Sequence, residues 1–102
     1  MMSTQTMTRK IAEYFKTQPV RKAWLFGSFA RGEEREDSDV DILVEFDHRE
    51  PIGLFMYARM WRELEQRIGR RVDLVEEGTL LPFAANSANR EKSLIYERKN
   101  QG

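Results

Sequence analysis

Residues 39–46 read Asp39-Val40-Asp41-Ile42-Leu43-Val44-Glu45-Phe46, and the alternation within them decides the fold. Val40, Ile42, Val44 and Phe46 share one parity; Asp39, Asp41, Leu43 and Glu45 share the other. Successive side chains of a strand point to opposite faces, so this segment is a strand with an apolar face and a largely acidic one. Asp39 and Asp41 then stand on the same face, roughly 6.5–7 Å apart along the strand.

Upstream, Val20 to Phe26 is β-prone and ends apolar before Gly27, which reads as a strand running into a tight turn. Residues 28–31 could open a short helix with Ser28 as its N-cap. Before Pro19, the spacing of Ile11, Ala12, Tyr14 and Phe15 predicts a helix over Thr8 to Thr17. Downstream of Pro51, Leu54, Ala58, Trp61, Leu64 or Glu65, and Ile68 recur at helical steps. They predict an amphipathic helix closed by Gly69, with Leu54, Ala58, Trp61, Leu64 and Ile68 covering the sheet and Phe55, Met56, Tyr57 and Met60 widening the apolar surface. A wide stripe fits a well-buried helix, and exposed Met and aromatic side chains also suit partner binding.

Arg71 to Val75 forms a third, short strand. A helix is expected from near Pro82, and Ser93 to Tyr96 is either an edge strand or a further helical turn. Strands interleaved with helices give an α/β (α+β) fold around a small sheet whose order the pattern leaves open.

The 102 residues fit one domain, and no repeat or linker divides them. Seventeen basic and seventeen acidic residues cancel, so no net field draws the chain to nucleic acid or to an anionic membrane. The absence of cysteine excludes disulfides and thiolate metal sites. MMSTQTMTRK lacks the apolar core of a signal peptide, and no window approaches the ~20 apolar residues of a membrane span. A cytoplasmic protein is expected, without membrane association.

Two carboxylates held on one face repel unless a cation lies between them or one takes a proton. Asp73, flanked by Val72 and Leu74 on the opposite parity, is a third candidate if its strand neighbours the 39–46 strand. Three oxygen donors without histidine or cysteine favour Mg²⁺ or Mn²⁺ over Zn²⁺. The plainer alternative is that Asp-x-Asp is a solvated strand face. Glu33, Glu34, Glu36 and Asp37 read as loop surface, and His48, the one histidine, as a structural or exposed residue in a polar turn.

A Gly-Ser pair between a strand and a helix aims free N–H groups and the positive helix end at one spot, which suits phosphate. Gly27 permits close approach and the Ser28 hydroxyl adds a donor. Arg31 could add charge to a phosphate or pair outward with Glu34 or Glu36. A simple helix cap is the alternative, since the Gly-Lys-Ser/Thr of a Walker loop is absent.

Gly27-Ser28, ten intervening residues, then Asp39-Val40-Asp41 resembles the signature of the DNA polymerase β-like nucleotidyltransferase superfamily. The string GSFARGEEREDSDVDILVEF is similar to that of its minimal, MNT-type members. The resemblance covers about residues 8–97 and implies one nucleotidyltransferase domain with a palm-like mixed sheet flanked by helices. It implies that Gly27 and Ser28 hold the triphosphate of ATP and that Arg31 touches the nucleotide. It further implies that Asp39 and Asp41 bind two Mg²⁺ ions (Mn²⁺ as substitute), and that Asp73 serves the ion activating the acceptor hydroxyl. All three aspartates are then catalytic.

Larger relatives carry a further helical domain that shapes the acceptor pocket, and none follows here, so the acceptor is expected from a partner. MNT-type domains pair with a helical HEPN RNase toxin and act as its antitoxin, transferring AMP to a tyrosine of that protein. Two alternatives remain: neutralisation by binding without catalysis, and transfer to a small molecule or RNA.

Overall fold

The structure is a computed structural model, and it describes residues 3–27, 29, 32, 35, 38–47, 51–77 and 92–98. The elements run α1 (Thr4–Phe15), β1 (Val20–Phe26), β2 (Val40–Phe46), α2 (Leu54–Ile68), β3 (Val72–Glu76) and β4 (Ser93–Glu97). The expected helix from Pro82 lies outside the described residues.

The four strands form one sheet in the order β3-β2-β1-β4. β1 pairs antiparallel with both β2 and β4, whereas β2 and β3 are parallel. Parallel neighbours cannot be joined by a hairpin, and α2 supplies the crossover between them. Segment 93–97 is thus an edge strand, which settles the alternative the sequence left open. Among the described residues, no helix is long and apolar enough to cross a membrane.

α1 begins four residues before the predicted start, because the Ser3 side chain accepts from the Thr6 amide at 3.1 Å and caps the helix there. Its buried residues are Met7, Ile11, Tyr14 and Phe15, a single helical face. The helix ends at Phe15, two residues short of the expected end, and Thr17 closes the turn by donating its hydroxyl to the Tyr14 carbonyl at 2.7 Å.

The core lies between the sheet and the two helices. Ala23 and Leu25 of β1, Val40, Ile42, Val44 and Phe46 of β2, and Val72 and Leu74 of β3 face Ile11, Phe15, Met60, Leu64 and Ile68. On the other face, the register pair Trp24 and Leu43 is also buried, and the Lys92 ammonium lies 4.3 Å from the Trp24 ring centroid.

α2 ends as predicted, with Gly69 in the left-handed region at φ 65° and its amide bonded to the Glu65 carbonyl. The face it buries differs from the prediction. Leu54 and Phe55 are 82% and 92% exposed, Ala58 is exposed, and Met60 is fully buried with Leu64 and Ile68. The cause is a row of side chains one turn apart along α2. The Tyr57 hydroxyl donates to the Leu74 carbonyl, and Trp61 Nε1 donates to the Val72 carbonyl at 2.7 Å. Glu65 Oε2 accepts from the Val72 amide at 2.9 Å.

Four helical residues rise about 6 Å, close to the ~6.6 Å between alternate residues of a strand, so the row matches the outer edge of β3. Satisfying that edge sets the rotation of the helix and leaves Leu54 and Ala58 outside.

Candidate active site

The site grows from the meeting of β1, β2 and β3 at one end of the sheet. β1 delivers Gly27, whose φ of +71° is one that L side chains rarely adopt. The space a Cβ would fill there is taken by the Asp41 carboxylate, whose Oδ2 rests against the glycine. Phe26 is the β1 partner of Asp41, so the turn and the carboxylate are brought together by the antiparallel register itself.

On its other side Asp41 pairs in register with Asp73 of β3. Neighbouring strands lie about 4.8 Å apart, and residues in register share a face, so these carboxylates stand side by side on the face away from the helices. Asp39 precedes β2 by one residue and keeps the parity of Asp41. Its carboxylate, about half exposed, lies 3.8 Å from Arg71 Nε. Among the described residues, no three His, Cys, Asp or Glu side chains are already drawn around one point as a metal centre.

The donor set nevertheless fits a hard divalent cation: oxygen donors only, on one face at one strand end, with glycine leaving room for the Asp41 carboxylate. Ser28 and Arg31 lie outside the described residues, as do Glu33, Glu34, Glu36, Asp37 and His48.

Two arginines that the sequence motifs do not single out stand at this end of the sheet. Arg70 places its guanidinium 5.1 Å from the ring centroid of the buried Phe29 and donates to the Arg35 carbonyl at 3.0 Å. It thereby ties the connection after Gly27 to the end of α2. Arg71 follows it and turns to Asp39. The available signal was parity: Arg71 stands two residues before Asp73, as Asp39 does before Asp41. Behind β3, the Tyr57 hydroxyl has its pKa raised by burial first, then by the carboxylates of Glu76 and Asp73.

The sheet order, the paired aspartates and the glycine turn can be set beside known proteins. The family described as Polymerase beta, Nucleotidyltransferase matches residues 9–101. The chain belongs to this nucleotidyltransferase family.

Among the relatives of this nucleotidyltransferase is the protein adenylyltransferase MntA of Thermococcus cleftensis, 44% identical over 72 residues, 71% of each chain. The crystal structure of a toxin-antitoxin with AMP-PNP superposes with a TM-score of 0.75 at 18% identity, covering 90% of this chain and 74% of that one. The structure of a tri-AMPylated Shewanella oneidensis HEPN toxin in complex with an MNT antitoxin gives 0.68 at 17% identity, covering 92% and 72%. At these identities the two structures show the nucleotidyltransferase fold, the architecture expected from the sequence.

Proposed function

We propose that this nucleotidyltransferase is an antitoxin that transfers AMP from ATP to a tyrosine of a HEPN-family RNase toxin and so neutralises it. The observation that carries the reading is the register pairing of Asp41 with Asp73 beside a glycine turn that has no room for a side chain. The 44% identity to an MntA protein adenylyltransferase supports the choice of a protein acceptor.

In this reading Gly27, Ser28 and Arg31 receive the triphosphate, with Gly27 allowing backbone to approach phosphate oxygens. Asp39, Asp41 and Asp73 would hold Mg²⁺, or Mn²⁺ in its place. Bound there, the ions would polarise the phosphate and lower the pKa of the acceptor hydroxyl.

Asp73, exposed on β3 beside Asp41, would accept the tyrosine proton. The tyrosine oxygen bonds to the α-phosphorus, the bond from that phosphorus to the bridging α–β oxygen breaks, and pyrophosphate leaves.

The test combines the purified chain, ATP, Mg²⁺ and the product of the adjacent gene, with intact mass measured over time. An adduct of one or more AMP units on the partner is expected. No adduct with Mg²⁺ or Mn²⁺ refutes the reading. An Asp39→Asn/Asp41→Asn double variant that still binds the partner should lose the adduct and the neutralisation together; retained neutralisation would assign that effect to binding alone.

A further inference from the structure

Asp39 and Arg71 stand directly before two parallel strands whose register pairs Val40 with Val72 and Asp41 with Asp73. The Val40 amide donates to the Arg71 carbonyl at 2.9 Å, so backbone holds the two residues as neighbours. Counting by twos puts Asp39, Asp41, Arg71 and Asp73 on one face of the sheet, three carboxylates and one guanidinium in two adjoining rows. Arg71 Nε lies 3.8 Å from Asp39 Oδ1, and the Arg71 side chain as a whole is 86% exposed. Arg70 is engaged elsewhere, with Phe29 and the Arg35 carbonyl.

From this arrangement we infer that Arg71 is a resident counter-ion of Asp39 that competes with the metal for that carboxylate and keeps the metal affinity of the free chain low. The inference rests on the metal-binding reading of Asp39, Asp41 and Asp73. A divalent cation and the Arg71 guanidinium both draw on the Asp39 carboxylate, and two cations on one patch repel. The guanidinium therefore opposes the cation until it swings away from Asp39. Its long exposed side chain permits that at little cost. An exposed pair at this distance is weak, so the competition corresponds to about a two- to fivefold loss of metal affinity. Arg71 is on this account a positioning residue, acting through Asp39.

The experiment is a Mn²⁺ titration of the full chain at low salt without nucleotide, reading free Mn²⁺ by electron paramagnetic resonance. Wild type, Arg71→Ala, Arg71→Lys, Asp39→Asn and the Asp39→Asn/Arg71→Ala double variant are compared, with circular dichroism to verify folding. Arg71→Ala should bind Mn²⁺ about two- to fivefold more tightly, and Arg71→Lys should stay near wild type. The gain should shrink as salt screens the pair, and should fall toward none in the Asp39→Asn background. Unchanged or weaker binding by Arg71→Ala, or an equal gain in the Asp39→Asn background, overturns the inference while leaving the metal site intact. Wild type that takes up no Mn²⁺ even with AMP-PNP overturns the metal reading, and this inference with it.

Discussion

Replacing Gly27 with alanine tests the junction on which the site depends. The glycine sits at φ +71°, where a Cβ collides with the local backbone at a cost of about 1–2 kcal/mol. The added methyl also meets Asp41, with Cγ at 3.3 Å, Cβ at 3.6 Å and Oδ2 closer than any real contact allows. Backbone fixes the glycine and the strand, so the carboxylate has to give way, by on the order of 1 Å.

A reacting group misplaced by that distance can lose about a hundredfold in rate. Gly27→Ala should therefore melt lower by roughly 4–8 °C for each kcal/mol lost, and transfer AMP about a hundredfold more slowly at temperatures where it remains folded. Melting followed by circular dichroism and adduct formation followed by intact mass measure the two effects separately. In an Asp41→Ala background the collision with the carboxylate is gone, so Gly27→Ala should cost less stability there than in wild type. An equal cost in both backgrounds, or a wild-type transfer rate in the folded single variant, would refute the claimed contact.

The helix face can be checked by contrast: Met60→Ala, at a fully buried position, should lose about 2–5 kcal/mol in urea unfolding. Phe55→Ala, at a position 92% exposed, should change stability by less than about 0.5 kcal/mol. Tyr57→Phe removes the donor to the Leu74 carbonyl and should cost about 1–2 kcal/mol by the same measurement.

Because the pKa of Tyr57 is raised in the folded chain, the proton is held more tightly there than in the unfolded chain. The resulting stability is complete below the ordinary tyrosine value of about 10 and is lost as pH rises through the raised value. The stability difference between wild type and Tyr57→Phe should accordingly narrow in unfolding curves taken above pH 10.

The strands were the legible part of this chain. The alternation of residues 39–46 and the apolar run ending at Gly27 are local signals, and β1 and β2 lie where they place them. Gly69 likewise marks the end of α2 because the left-handed cap is a property of one residue. The buried face of α2 departs from the apolar stripe at Leu54, Ala58 and Met60, because an apolar count ignores hydrogen bonds. Glu65 belongs to the row that docks on β3, whereas Leu54 and Ala58 do not, although they are apolar. The start of α1 differs because the apolar spacing begins only near Thr8, whereas the serine cap that starts the helix stands at Ser3, ahead of that spacing. The sheet order was not legible, since parity says which face a residue takes and nothing about which strand lies beside it.

Neighbourhood is what the candidate site requires, and α2 is what enforces it. Asp73 stands beside Asp41 only while β3 keeps one register against β2. A slip of one residue would turn Asp73 into the core and Val72 or Leu74 outward; a slip of two would preserve its face but carry it a row away from Asp41.

Hydrogen bonds between parallel strands repeat evenly and do not by themselves choose among such registers. The choice comes from the far edge of β3, where Tyr57 and Trp61 donate to the Leu74 and Val72 carbonyls and Glu65 accepts from the Val72 amide. Val72 and Leu74 also fill the core beneath α2 and would leave it on a one-residue slip. The third carboxylate of the site is thus positioned from behind, by a helix whose other surface is open to solvent. This is why a carboxylate as exposed as Asp73 can still hold a defined place beside Asp41.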